Sequence, residues 1–141
     1  MVRAAGYSRQ ARFNTDVIYK LIMVYHDRNQ AYPSSLTDLP KFYVVSAMEK
    51  FYLDSVKLAR GAWDGYRYNF KSVDKNNFVL SASPVGFWPS GIEYGMTEEG
   101  ILKANSKSVD ALADGHEEVK RWGAVNSLNT IGFRQEKVKS P

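Results

Sequence analysis

Residues 8–29 read SRQARFNTDVIYKLIMVYHDRN, and this stretch decides the fold. Four of its apolar residues lie four positions apart, a spacing that stacks side chains on one face of an α-helix: Phe13, Val17, Leu21 and Tyr25. Most of the charged residues fall on other faces. The stretch therefore predicts an amphipathic helix of about five turns, with Leu21 buried. The helix is expected to end before Tyr32-Pro33, because a proline disfavours helical geometry in the residue before it.

The next two segments are predicted to be helical as well. Residues 33–40 read PSSLTDLP, in which Ser34 or Ser35 can cap a single turn that the second proline closes. Residues 42–59 mix apolar residues with charges and indicate a second, less regular helix, which ends at Arg60-Gly61.

After Gly65 the apolar period changes from helical to two, as in a strand that buries one face. Tyr66, Tyr68 and Phe70 alternate with polar residues, and Phe78, Leu80 and Ala82 alternate in the same way. Between these runs lies DKNN (residues 74–77), which supplies turn residues. Residues 66–82 therefore predict a β-hairpin.

The remaining chain predicts two more strands and a tail. Residues 84–91 (PVGFWPSG) form a loop, residues 91–97 a third strand, and residues 101–103 a fourth strand after the Glu98-Glu99-Gly100 turn. Residues 108–122 carry apolar side chains at helical spacing, with Gly123 as the C-cap. The fold class is thus α+β, a long N-terminal helix on a small antiparallel sheet, with an extra helical tail.

The amino-acid composition argues against several classes of function. The chain has 141 residues, 44% of them hydrophobic, and a net charge of +4, so it is long enough for one domain with a real core. Basic residues are spread along it and interleaved with acidic ones, which argues against nucleic-acid binding. It has no cysteine, so a thiolate nucleophile and a disulfide are excluded. No Ser-His-Asp spacing, phosphate-binding glycine loop or paired carboxylate motif points to an enzyme or to a small-molecule substrate.

The order of four motifs resembles the soluble domain of bacterial type IV pilin-like proteins, with the major pseudopilin of type II secretion as the nearest match. The motifs are Tyr32-Pro33-Ser34-Ser35-Leu36, Asp64-Gly65-Tyr66-Arg67-Tyr68, the strand at residues 78–84, and Thr97-Glu98-Glu99-Gly100-Ile101. They follow the predicted long helix in this order, and the similarity covers about residues 8–105. The resemblance implies a pilin-like domain over residues 1–105, followed by a helical or extended tail over residues 106–141.

The resemblance implies a structural subunit of a pilus or of a type II secretion pseudopilus, which acts by assembling with other protein subunits in protein secretion or adhesion. The alternative is a soluble accessory subunit with a pilin-like fold that binds and stabilises a larger complex, itself membrane-associated or not. The family's apolar N-terminal segment has no counterpart here. We therefore expect a periplasmic or cell-envelope location if an anchor was removed, and a cytoplasmic one if Met1 is the natural start.

Six residues are candidates for partner binding. Two aromatic residues lie in the Gly/Pro loop and four lie on the stripe of the tail helix: Phe87, Trp88, Val109, Leu112, Val119 and Trp122. Buried aromatic anchors dominate interface energetics, although the loop pair could equally seal one end of the sheet. We expect the tail to be a docking element, so that deleting residues 106–141 would leave a folded domain.

Metal binding is the remaining chemical class. The two histidines, His26 and His116, lack further ligands nearby in the sequence and predict no transition-metal site. Some proteins of the resembling family bind calcium, and five carboxylates could supply oxygens here: Asp54, Asp64, Asp74, Glu98 and Glu99. Calcium requires six to eight oxygen ligands, and residues 74–77 offer at most two or three, so a hairpin turn is the simpler interpretation.

Overall fold

The first helix, α1 (Val2–Asn29), is 28 residues long and confirms the predicted helix, with six more residues at its N-terminal end. The structure is a computed structural model, and it describes residues 2–39, 42–46, 49–52, 61–63, 65–85, 92–106 and 109–125. After α1 comes the 3-10 turn Leu36–Asp38, capped by the Ser35 side chain, which accepts from the Thr37 backbone N–H as predicted.

The face of α1 that is buried in the core differs from the predicted face at its N-terminal end, near Phe13. Its fully buried residues recur at steps of three or four, as expected for a helix with 3.6 residues per turn: Ala11, Thr15 and Ile18, and then the adjacent pair Leu21 and Ile22. Phe13, predicted to share that face, is 52% exposed. A strict four-residue spacing drifts by about 40° at each step on a helix with 3.6 residues per turn. Over three steps the drift carries Phe13 away from the face that Tyr25 occupies.

The predicted second helix is wrong wherever the structure describes it. Strands β1 (Phe42–Ser46) and β2 (Glu49–Tyr52) form an antiparallel two-stranded sheet, with Phe42 opposite Tyr52 and an irregularity between Val44 and Ser46. Aromatic and β-branched residues are enriched in strands, and here they outweigh the loose helical spacing. The rest of that prediction, residues 47, 48 and 53–59, lies outside the described residues.

The main sheet has six antiparallel strands in chain order. They are β3 (Ala62–Trp63), β4 (Tyr66–Ser72), β5 (Phe78–Pro84), β6 (Glu93–Thr97), β7 (Lys103–Asn105) and β8 (Gly123–Ala124). The β4–β5 hairpin confirms the prediction, with Tyr66 opposite Pro84 and Ser72 opposite Phe78. The third predicted strand corresponds to β6. The fourth begins two residues later than predicted, because the turn after β6 extends through Ile101 and Leu102.

The tail is part of this sheet's packing. The predicted helix at residues 108–122 is two short helices, α2 (Ala111–Asp114) and α3 (His116–Arg121), separated by Gly115 at φ 102°. Strand β8 then pairs with β7, and the Val125 backbone N–H donates to the Leu102 carbonyl at 2.8 Å. The predicted boundary at residue 105 therefore falls between two hydrogen-bonded strands of one sheet. Residues 126–141 lie outside the described residues.

The two central strands are buried on both faces. Even-numbered residues of β5 and β6 face α1 in the larger core cluster: Phe78, Leu80, Ala82, Tyr94 and Met96. On the opposite face Val79 packs with Ala111, Val119 and Trp122 in a second cluster. The sheet is therefore a middle layer, with α1 on one side and the α2–α3 segment on the other.

Leu21 and Lys20 test the assignment of the faces of α1. Leu21 is fully buried, so Leu21→Ala should lower the free energy of unfolding by about 2–5 kcal/mol. Lys20 forms an exposed ion pair with Asp16 at 3.1 Å, so Lys20→Ala should change it by less than about 0.5 kcal/mol. Urea unfolding curves measure both, and equal effects would contradict the assignment.

Gly95 tests the packing of the tail. A Cβ atom at this position would lie 3.1 Å from both Ala111 Cβ and Val119 Cγ1, and 3.3 Å from Trp122 Cζ3. Gly95→Ala should therefore destabilise the fold by about 1–3 kcal/mol through overpacking. Adding Val119→Ala removes one of the clashing methyl groups, so the double variant should lose less than the sum of the two single losses. Strict additivity in thermal melts would show that the tail does not press on β6.

Candidate functional site

Of the six predicted partner residues, the structure describes the four in the tail, and none of these four is exposed. Val119 is fully buried and Trp122 nearly so, and the Trp122 indole Nε1 donates to Asp114 Oδ2 at 2.8 Å. Leu112 is half-buried against the same cluster, and Val109 is half-buried. The stripe of the tail is thus used to cover the domain's own sheet. Phe87 and Trp88 lie outside the described residues.

A polar network beneath the N-terminal half of α1 joins the helix to tyrosine hydroxyl groups of the sheet. The Tyr94 hydroxyl bonds to Ser8 Oγ at 2.5 Å and accepts from Arg12 Nη1 at 3.2 Å. The Asn14 amide donates to the Tyr68 hydroxyl at 3.1 Å. Buried polar groups are costly unless they are hydrogen-bonded, so this network fixes where α1 sits on the sheet. Apolar periodicity in the sequence does not indicate this network, because its three helix residues, Ser8, Arg12 and Asn14, are polar.

Beside the network lies an open cleft of about 520 Å³. One wall comes from α1, and the others come from β6, the turn that follows it and the residue after β8. The lining residues are Arg9, Arg12, Phe13, Asp16, Met96, Gly100, Ile101, Leu102 and Val125. Phe13 and Ile101 border it with 52% and 44% of their surfaces exposed. The cleft thus combines an apolar lining with the exposed side chain of Arg9, whereas Arg12 is only 5% exposed and donates to the Tyr94 hydroxyl.

A buried carboxyl group joins the sheet to the tail. Glu93 on β6 is 1% exposed, and its Oε2 accepts from the Ala111 backbone N–H at 2.8 Å and from Ser83 Oγ at 2.9 Å. Burial raises the pKa of Glu93 to about 8, even though both hydrogen bonds favour the ionised form. The carboxyl group is enclosed by the fold, so it secures the start of α2 and is not presented to a substrate.

An ion cluster lies at the turn after β6. His116 Nε2 is 2.9 Å from Glu98 Oε1, and Lys120 Nζ is 3.3 Å from Glu98 Oε2. The Phe78 backbone N–H also donates to Glu98 Oε1 at 3.0 Å. Although burial acts to raise the pKa of Glu98, the hydrogen bond with His116 holds it below its ordinary value. His116 therefore ties α3 to the β6–β7 turn.

Asp74, Glu98 and the two histidines, which were considered for metal binding, make other contacts, and the Glu99 side chain is exposed. Asp74 accepts from the Asn76 backbone N–H at 2.8 Å and from the Asn77 amide at 2.9 Å, as expected of a hairpin turn. The His26 ring packs on the Tyr32 ring with centroids 4.3 Å apart. Within the described ranges, no three His, Cys, Asp or Glu residues are grouped so that they could hold a metal ion. Asp54 and Asp64 lie outside those ranges.

Comparison with models of protein families, with curated proteins and with solved structures finds no match for this chain. In the part of the chain that the structure describes, none of the helices has the length and apolar character needed to cross a membrane.

These observations make the cleft the candidate functional site. It is a concave surface that combines two exposed apolar side chains, Phe13 and Ile101, with the exposed charge of Arg9. The buried carboxyl group and the ion cluster are bonded to neighbouring parts of the same domain, so they hold the tail in place.

Glu93→Gln tests the role of the buried carboxyl group through pH. Between pH 4.5, its ordinary pKa, and about pH 8 the folded chain keeps a proton that the unfolded chain has released. The free energy of unfolding should therefore fall by about 1.4 kcal/mol per pH unit in this window and level off above it. Glu93→Gln should abolish that slope.

Chemical unfolding followed by tryptophan fluorescence at several pH values measures this slope. The matched control is Glu99→Gln, which makes the same change of charge at an exposed position and should keep the slope of the original chain. Glu98 does not interfere, because its lowered pKa removes stability only at more acid pH. Identical pH profiles for the original chain and Glu93→Gln would contradict the assignment.

Proposed function

We propose that this chain is a structural subunit, the pilin-like domain of a bacterial pilus or of a type II secretion pseudopilus, and that it acts by assembly with other protein subunits in secretion or adhesion. The four motifs that carry the resemblance support the proposal by their order. Where the structure describes them, they fall on the turn after α1, on the start of β4, on β5 and on the turn after β6. On this proposal the chain performs no catalysis.

The observation that carries the proposal is the geometry of α1. The helix is about 42 Å long at 1.5 Å per residue, whereas the seven-residue strands β4 and β5 span only about 24 Å. One side of α1 is bound to its own sheet, and Phe13 on another side is half exposed. A helix that is longer than the strands beneath it and carries an outward apolar side chain can pack against a neighbouring subunit.

A second candidate function is the accessory subunit, and the cleft favours it. A concave surface with apolar walls and an exposed arginine can receive a segment of a different protein without any repeated assembly of this chain. The two functions differ in the masses of the assemblies they produce. A polymer gives regular multiples of the mass of one subunit, whereas an accessory subunit gives one larger complex that contains other proteins.

Phe13→Asp tests the proposed function in the organism that encodes the chain. In-cell cross-linking followed by immunoblotting should show a ladder of regular multiples of the mass of one subunit for the original chain. Phe13→Asp should deplete the ladder severalfold, because it places a charge in an apolar contact. Its thermal melt should stay close to that of the original chain, since the side chain is half exposed.

The control is Gln10→Glu, which adds one negative charge at an exposed position of the same helix and should keep the ladder. A single complex of fixed mass would favour the accessory subunit. If only the single subunit were found, the proposed function would be wrong.

A further inference from the structure

The described part of the chain ends at the wall of the cleft. Val125 is the last described residue, and it lines the cleft together with Leu102. It is held there, because it is only 6% exposed and its backbone N–H donates to the Leu102 carbonyl at 2.8 Å. Residue 126 is bonded to Val125 and therefore starts at this wall.

The direction of β8 leads the chain along the cleft. Strand β8 runs antiparallel to β7, with Lys103 opposite Ala124, and the hydrogen bond from Val125 continues this register by one residue. Two further residues in the same register would lie opposite Ile101 and Gly100, which both line the cleft. The strand thus points the residues that follow it towards the cleft.

The cleft presents apolar surface that such a segment can cover. Phe13 and Ile101 lie on its border and are 52% and 44% exposed. Large apolar residues that are exposed singly need no explanation. Here two of them border one concave surface, and exposed apolar surface that is grouped in this way marks a contact site.

The sequence after Val125 supplies the apolar side chains. Residues 126–141 read NSLNTIGFRQEKVKSP, and three large apolar residues come within the first eight: Leu128, Ile131 and Phe133. An extended chain spans about 3.4 Å per residue, so Leu128 can reach about 10 Å from Val125 and Phe133 about 27 Å. A cavity of about 150 Å³ holds a benzene molecule. The cleft, at about 520 Å³, therefore has room for about three groups of that size.

The covalent attachment favours this occupant over a separate chain. Because residue 126 starts at the cleft wall, the effective concentration of the following residues at the cleft is in the millimolar range or higher. A separate chain loses translational and rotational freedom when it binds, whereas these residues do not. Beyond Phe133 the sequence RQEKVKSP is mostly charged or polar, which suits an exposed stretch.

We propose that residues 126–133, the cleft segment, run from β8 into the cleft and cover Phe13 and Ile101 with their apolar side chains. The cleft is then a binding site for a segment of the same chain. A segment of another protein that binds there has to displace the cleft segment, so the cleft segment controls access to this surface. The inference concerns contacts within one chain, and it does not depend on the proposed function.

The accessibility of a cysteine in the cleft tests the proposal. The chain has no cysteine, and Arg9 is exposed and lines the cleft, so Arg9→Cys introduces a single thiol there and leaves the apolar rim intact. The purified full chain is treated with a fluorescent maleimide, and the rate of labelling is measured. Adding Leu128→Ser and Phe133→Ser should raise this rate severalfold, because the cleft segment loses two of its apolar contacts.

Two controls accompany this measurement. Val138→Ser makes the same kind of change outside the cleft segment and should leave the labelling rate of Arg9→Cys unchanged. A second reporter, Glu118→Cys, lies at an exposed position on α3 and should label at the same rate with or without the two serine substitutions. Equal rates for the double serine variant and Val138→Ser would overturn the proposal. A rise at both reporters would overturn it too, because the substitutions would then loosen the whole fold.

The dependence on protein concentration separates the cleft segment from a second copy as the occupant. Contacts within one chain should protect Arg9→Cys equally at all concentrations of the purified chain. Protection that grows with concentration would show that another copy fills the cleft, and would overturn the proposal. The ladder in cells is measured separately, so the proposed function can fail while the protection remains, and the protection can be absent while the ladder forms.

Discussion

The structure depends on burying β5 and β6 on both faces. Every residue of β6 and the first five of β5 are buried, so neither strand can leave one face in water as an ordinary half-buried strand does. Helix α1 covers the even-numbered residues, and the α2–α3 segment covers the odd-numbered ones. The tail is therefore required by the sheet. Gly95 follows from the same constraint, because a side chain there would meet α2 and α3.

This constraint also decides which surfaces remain for partners. Both faces of the central strands and the inner side of α1 are used inside the domain, and Glu93 and Glu98 bond to the tail. The outer side of α1, the cleft beside it and the β4–β5 turn remain exposed among the described residues. The proposed function, contact between subunits, would use these surfaces.

Much of the fold could be predicted from the sequence. Apolar residues recur about every 3.6 residues in α1 and at every second residue in the β4–β5 hairpin, and these periods are typical of a helix and of strands. The failures have physical causes. Phe13 was misplaced by a strict four-residue spacing, and β1–β2 was mistaken for a helix because its strands are short and mixed with charges. The cleft could not be predicted, since its walls come from residues as far apart as Arg9 and Val125. The burial of Glu93 could not be predicted either, because a charged residue in a strand is usually exposed, and only the packing of the distant tail buries it.

The most direct test of the central constraint is the thermal unfolding of a chain that ends at residue 105, measured by calorimetry beside the full chain. Without α2, α3 and β8, the odd-numbered face of β5 and β6 would be exposed, including Val79 and the Glu93 carboxyl group. The account predicts that the truncated chain loses its cooperative transition. A cooperative transition at a temperature close to that of the full chain would contradict it, and would show that residues 106–141 form a separate element.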